Sequence, residues 1–207
     1  MNESPKRKPL LREDKPRAPH LPDRGYWGIG VYHPKKEHNF GTILRNAYAF
    51  GASFVFTVGP RFRLQAADTA RAWRHVPVFR YRDVDDLRDH LPYACSLVGV
   101  EIVEEAVYLP RFSHPERACY LLGAEDYGLP REVVACCEHA VRIPGAAYCL
   151  NLATAAAIIM YDRVSKRATR VFGPLTALNT PQLNPPIHKT EASGSGVEAA
   201  NRPCPPG

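Results

Sequence analysis

A-C-Y-L-L-G-A-E-D-Y-G-L-P-R-E-V-V-A-C-C-E-H-A-V-R-I-P-G-A-A-Y-C-L-N-L-A-T-A-A-A-I-I-M-Y-D, residues 118–162, is the stretch from which the rest of the chain can be placed. Cys119 to Leu122 is a short apolar run stopped by Gly123, which suits a buried strand better than a helix. Gly128 permits a positive φ, and Pro130 suits the first turn of a helix. A second short run, Ala140 to Ile143, ends at Pro144. From Leu150 to Tyr161 apolar residues crowd together around Ala153, Ala155, Ala156 and Ala157, which predicts a buried helix too short to span a bilayer. Glycine loops at strand ends leave backbone N–H groups free and let ligands approach, so open α/β sheets bind there. The loops 123–129 and 143–151 therefore form a candidate pocket. Their spacing alone leaves ordinary tight connections open.

Working outward, Trp27 to Tyr32 reads as a first strand. Gly28 and Gly30 lie inside it instead of after it, so they are not a dinucleotide fingerprint, which argues against an NAD enzyme. Asn39 suits an N-cap for the next segment, where Phe40, Ile43, Leu44 and Ala47 recur at helical spacing up to Gly51. Arg45 lies within that helix but off its apolar stripe. Its position fits either a solvated charge or a bidentate grip on a phosphate. Ser53 to Val58 is a second strand and Val76 to Tyr81 a third, with a helical region over Gln65 to Trp73 between them. Arg61, Arg63, Arg71, Arg74 and His75, interleaved with Phe62 and Trp73, make this the most basic part of the folded body, fitting an RNA-facing patch or a solvated helix face. Asp83 to Leu91 predicts a helix, and Ser96 to Val100 a fourth strand ending near Glu101. Alternation of strand and helix, about six times, predicts an α/β fold with a mostly parallel sheet covered by helices on both faces.

The 207 residues are 45% hydrophobic, enough for one domain, expected over 25–170. Five of 20 prolines fall within 1–24 and seven within 174–207, so both ends are expected to be disordered, the tail from 171. Residues 1–24 carry seven Lys or Arg against four acids, half of the net charge of +6. Such a basic arm attracts phosphates without sequence preference, or is simply a solvated tail. No apolar run follows its basic residues, so a signal peptide and a membrane association are not expected and the location is read as cytoplasmic. The six cysteines, Cys95, Cys119, Cys136, Cys137, Cys149 and Cys204, have neither zinc-site spacing nor the density of a disulfide scaffold. Reduced thiols and no metal are expected.

Three segments together resemble the three motifs of the SpoU/TrmH family of the SPOUT superfamily of RNA methyltransferases. They are H-N-F-G-T-I-L-R-N-A-Y-A-F-G at 38–51, L-L-G-A-E-D-Y-G-L-P at 121–130 and R-I-P-G-A-A-Y-C-L-N-L-A at 142–153. The resemblance covers about 26–168. It implies a C-terminal trefoil knot, S-adenosyl-L-methionine as cofactor, a homodimer, and methyl transfer to a ribose 2′-hydroxyl of RNA. It also implies Asn39, Arg45, Glu125 and Asn151 as the polar catalytic group. Val100, Glu101, Gly123, Ile143, Cys149 and Leu150 would contact the cofactor, largely through backbone. Two positions depart from the family: Cys149 stands where Ser is common and Gly145 where Met is common. A thiol is a poorer hydrogen-bonding group than a hydroxyl, so only a backbone contact is carried over to Cys149. Within this reading Arg45 grips the phosphate beside the target ribose, from its own subunit or the other. The N-terminal segment is too short for an added RNA-binding domain, which by analogy favours tRNA over rRNA. The alternative function is a catalytically silent, dimeric RNA-binding protein that keeps the knot.

Overall fold

A computed structural model describes residues 25–60, 72–145 and 149–172. Its strands are β1 (Tyr26–Tyr32), β2 (Phe54–Val58), β3 (Val78–Tyr81), β4 (Ser96–Val100), β5 (Val107–Tyr108), β6 (Arg117–Leu122) and β7 (His139–Arg142). The helices are α1 (Glu37–Phe50), α2 (Val84–Asp89), α3 (Arg131–Ala135) and α4 (Leu152–Phe172). The strands form one sheet in the order β3-β2-β1-β6-β4-β7-β5, and every neighbouring pair is parallel. β5 was not legible in the sequence because two residues carry no alternation.

Successive side chains of a strand face opposite ways, and β6 shows what each face covers. Ala118, Tyr120 and Leu122 pack with Trp27, Ile29 and Val31 of β1 beneath Ile43 and Ala47 of α1 and Ala156 and Ile159 of α4. Cys119 and Leu121 face the other layer, with Leu87 of α2 and Val133 of α3. Helices thus cover both faces, as expected. On that second face Gly28 and Gly30 leave room for Phe54 and Phe56, whose rings lie 2.3 Å from where each missing Cβ would stand. Their role inside β1 is close packing of the neighbouring strand.

Several boundaries differ from the sequence reading for identifiable reasons. α1 starts at Glu37 with Lys36 at the cap and no side-chain cap bond, so Asn39 lies buried in the first turn instead of capping it. Its amide is engaged by tertiary partners. Asp83 does cap α2, accepting from the Asp86 N–H at 2.8 Å. α4 runs 21 residues, well past Tyr161 and two beyond the expected start of the tail. The apolar stripe of α4 is continued by charged residues turned inward, which a hydrophobicity pattern reads as an end. The helix read over Gln65 to Trp73 and the cations Arg61, Arg63 and Arg71 lie outside the described residues. Ala72–Arg74 is a 3₁₀ turn with Trp73 and Arg74 exposed. The N-terminal arm, Cys204 and the tail from 173 onward also lie outside them. Cys95, Cys119, Cys136, Cys137 and Cys149 are unpaired thiols. No helix of the described residues is long and apolar enough to cross a membrane, and none of their acidic, Cys or His side chains cluster in threes that could hold a metal ion.

The inward charges of α4 tie the helix to the N-terminal end of the sheet. Arg163 is fully buried and donates to the carbonyls of Pro115 at 2.7 Å and Glu116 at 2.8 Å, and to the Tyr120 hydroxyl at 2.9 Å. Tyr120 lies 2.6 Å from His114 Nδ1, and His114 Nε2 lies 2.8 Å from Asp162. With Arg163 donating to its oxygen, the Tyr120 hydroxyl donates to Nδ1. The Nε2–H then donates to Asp162, so a neutral imidazole satisfies the chain. Burial is the main cause that lowers the His114 pKa to about 4, against the opposing pull of Asp162.

Because the unfolded chain binds this proton at higher pH than the folded one, the stabilisation from His114 is complete above about pH 6.5 and is lost as pH falls toward 4. Urea midpoints measured at pH 7 and pH 5 are expected to drop more for the native chain than for His114→Asn. Equal drops would show that His114 does not carry this dependence.

Candidate functional site

The C-terminal ends of β4, β6 and β7 open onto one cavity of about 760 Å³. Val100 and Glu101 follow from β4, Gly123 and Glu125 from β6, and Ile143 from β7, while Cys149, Leu150 and Asn151 lead into α4. All six residues expected to contact a cofactor line it, as do Asn39, Glu125 and Asn151. A parallel sheet brings them together because all its strands end on the same side.

Backbone contact sets the shape of the first loop. A Cβ at Gly123 would lie 2.2 Å from the carbonyl carbon of Gly128, so only glycine lets the two segments meet. Gly128 has φ +69°, and its N–H and the Ala124 N–H exchange 3.0 Å bonds with each other's carbonyls. Glu101 holds the same loop from beneath: its carboxylate accepts from the Leu129 N–H at 2.6 Å and from the Ile102 N–H at 2.8 Å. Its side chain is thus a loop brace as well as part of the cavity wall.

The polar group is a connected chain. Asn151 Oδ1 caps α4 by accepting from the N–H groups of Ala153 at 2.9 Å and Thr154 at 3.3 Å. Its Nδ2 donates to Asn39 Oδ1 at 3.2 Å, and Asn39 Nδ2 donates to Glu125 Oε1 at 2.8 Å. Glu125 Oε2 is buried, lies 3.2 Å from Lys36 Nζ, and makes no hydrogen bond among the described residues. The contact with Lys36 is an ion pair without hydrogen-bond alignment. This leaves an acceptor oxygen at the cavity wall. Further along the loop Lys35 pairs with Asp126 and stands 5.6 Å from the Tyr127 ring centre, while the Tyr127 hydroxyl is 2.9 Å from His33 Nδ1.

Sequence reasoning missed Lys36, Ile102 and Arg142 in the lining. Lys36 looks like an ordinary loop cation, but the end of a strand run at Arg142 was a usable signal. The Arg142 guanidinium stacks 4.0 Å from the Tyr108 ring centre, and its Nε is buried without a hydrogen-bond partner. Arg45 is exposed and does not line the cavity. Six residues beyond Asn39, it points about 120° away around α1 and lies about 9 Å further along the axis. Within one chain the two residues are not brought together.

The comparisons with known proteins agree with this geometry. The model of the SpoU rRNA Methylase family matches residues 28–161. A curated relative, the tRNA (guanosine(18)-2'-O)-methyltransferase of Escherichia coli strain K12, is 29% identical over 137 residues, or 64% of this chain and 60% of that protein. The chain thus spans about 60% of the length of that relative. The solved structure of an AdoMet-bound rRNA methyltransferase from Sinorhizobium meliloti superposes with a TM-score of 0.61 at 27% identity, over 69% of this chain and 57% of that one. A second, reported as "Structural insights into the 2-OH methylation of C/U34 on tRNA", gives 0.60 at 25% identity, over 73% of this chain and 99% of that one.

Asn151→Ala removes the cap of α4 and should cost about 1 kcal/mol in urea denaturation. Asn151→Asp keeps the cap oxygen and should retain most of that stability. If both variants were as stable as the native chain, the cap would have no role.

Proposed function

The chain belongs to the SpoU rRNA Methylase family, matched over residues 28–161, and from that premise we propose that it is an S-adenosyl-L-methionine-dependent RNA methyltransferase acting on a ribose 2′-hydroxyl. The observation that carries the reading is the single cavity that gathers Asn39, Glu125 and Asn151 with both glycine-bearing loops. Its volume of about 760 Å³ lies within the range for ligands of this size, roughly 300–1,000 Å³. The donor fits the residues present. The close approach of Gly123 and Gly128 shapes the loop that walls the cavity, Val100, Ile143, Leu150 and Ile158 supply apolar walls, and the carboxylates of Glu101 and Glu125 suit a cationic sulfonium. When bound, that cofactor supplies an electrophilic methyl group for in-line displacement.

The chain's own residues would align the acceptor. Alignment of two reactants can remove several kcal/mol of barrier. Asn39 holds Glu125 at 2.8 Å and is itself held by Asn151 at 3.2 Å, so the carboxylate is fixed before substrate arrives. Its Oε2, buried beside Lys36 and without a hydrogen bond among the described residues, is the acceptor that this site would offer the attacking hydroxyl once that ion pair gives way. Arg45 serves as a phosphate clamp that orients the ribose. A guanidinium rarely gives up its proton, so it positions the substrate and does not act as base.

The chain is read as a homodimer in which Arg45 reaches the cavity of the partner subunit. Its exposed position away from its own cavity supports this reading, as do exposed Tyr48 on α1 and Tyr161 on α4. Strand order supports the reading of a C-terminal trefoil knot. β4 continues to β5 at the far edge of β7 before returning to β6, so β7 lies between strands joined earlier in the chain. As to substrate, we read tRNA ahead of rRNA, a reading supported by the Escherichia coli relative named for a tRNA, with rRNA, for which the Sinorhizobium structure is named, as the alternative.

Calorimetry with S-adenosyl-L-methionine should show binding, and a labelled methyl donor should mark bulk tRNA more than rRNA. Arg45→Lys should lower turnover at least tenfold with cofactor affinity unchanged, since an ammonium cannot reproduce the bidentate grip. Near-native turnover would refute the clamp. Mixing Arg45→Ala with Asn39→Ala should restore activity above either variant alone if the site is shared between subunits, and should not if each subunit is self-sufficient. Cofactor binding without methyl transfer to any RNA would favour a silent RNA-binding protein.

A further inference from the structure

Arg142 stands in the wall of the cavity and has no task in the chemistry above. Among the described residues the lining holds two cations, Lys36 and Arg142, against the acids Glu101, Glu125 and Asp126. Lys36 is paired with Glu125 at 3.2 Å, and Asp126 with Lys35. Arg142 makes no ion pair and no hydrogen bond among the described residues, and its Nε is buried without a partner.

Its place in the sheet accounts for this. Arg142 closes β7 between two neighbours: Tyr108 of β5 is its partner on one side, and on the other the Glu101 N–H donates to the Val141 carbonyl at 3.0 Å. The guanidinium stacks on Tyr108, 4.0 Å from the ring centre, which holds it without using a donor. The Glu101 carboxylate serves the loop, accepting from the N–H groups of Ile102 and Leu129. A half-buried cation is thus fixed beside an acid that is engaged elsewhere. In the same wall Gly145 leaves open space, with no atom within 4 Å of where its Cβ would stand. Buried donors left without an acceptor are costly, and an anion that reaches the guanidinium would offset part of that cost.

We infer that Arg142 binds the carboxylate at the end of the amino-acid tail of S-adenosyl-L-methionine. The inference rests on the methyltransferase reading and deepens it. The donor carries a cationic sulfonium, and its tail ends in an ammonium beside a carboxylate. Glu101 and Glu125 suit the cationic groups, whereas the carboxylate calls for a cation, and Arg142 is the one in the described lining not already paired. The strand order separates the charges in the same way: β4 lies between β6, which leads to Glu125, and β7, which ends at Arg142. Two strand spacings, about 10 Å, set the ends of an elongated ligand beside charges of opposite sign. A planar guanidinium can donate two N–H groups to one carboxylate at once. Arg142 holds the donor and moves no proton.

Calorimetry on the full chain compares S-adenosyl-L-methionine with decarboxylated S-adenosylmethionine, which lacks only that group. The native chain should bind the complete donor at least about tenfold more tightly, the scale of one or two charged hydrogen bonds. Arg142→Gln should weaken the complete donor by about the same factor and leave the decarboxylated one nearly unchanged, so that the preference disappears. Arg142→Lys should recover only part of it, because an ammonium lacks the fork. Arg82→Ala, an exposed cation paired with Asp86, should keep the native preference. Thermal melts check the folding of each variant, and the comparison of the two donors on the native chain needs no variant. Equal affinities on the native chain would overturn the inference, as would a preference that survives Arg142→Gln. Binding of bulk tRNA without donor should not change in Arg142→Gln. Weakened tRNA binding with the donor preference intact would assign this cation to a phosphate of the RNA, against the inference. If the native chain binds neither form of the donor, the methyltransferase reading falls and this inference with it. Binding of both without discrimination removes this inference alone.

Discussion

Gly123 has no side chain, and the backbone of Gly128 occupies the space one would need. Any larger residue at position 123 would push the loop 124–128 outward, because the obstacle is backbone and cannot rotate away. With the loop in place, Glu101 reaches the Leu129 N–H and Glu125 faces Asn39. The cavity is therefore a consequence of one close approach between two glycines, and its polar chain depends on that approach.

The same economy appears at the start of α4. One Asn151 side chain caps the helix with its oxygen and holds Asn39 with its nitrogen, so helix formation and site assembly are a single event. A substitution at this position changes stability and site geometry together. Asn39 and Glu125 are more separable, since neither closes a secondary-structure element.

At its other end α4 is fixed by polar ties where an apolar stripe would normally serve. Arg163 bonds the backbone at Pro115 and Glu116, and Lys166 bonds that at Leu109 and Phe112, so the segment leading into β6 is gripped from the helix. The grip concentrates positive charge beneath the surface.

The sequence by itself determined the parallel α/β class, most strands, the two glycine loops and the residues that gather around them. Those features rest on local rules: short apolar runs, glycine at strand ends, and motif order along the chain. Pattern reading erred where a side chain answers to distant partners. Asn39 has the chemistry of a cap but is claimed by Glu125 and Asn151, 86 and 112 residues away. Asp162 and Arg163 look like the end of an apolar helix, yet they turn inward because residues 114–120 supply their partners, the His114 ring for Asp162 and the Pro115 and Glu116 carbonyls and Tyr120 phenol for Arg163. Tertiary structure alone decided that Arg45 stands apart from the cavity, since its direction follows from where α1 begins. It alone decided that Arg163 and Lys166 tie the backbone of residues 109–116, because these groups meet only when α4 lies along the sheet.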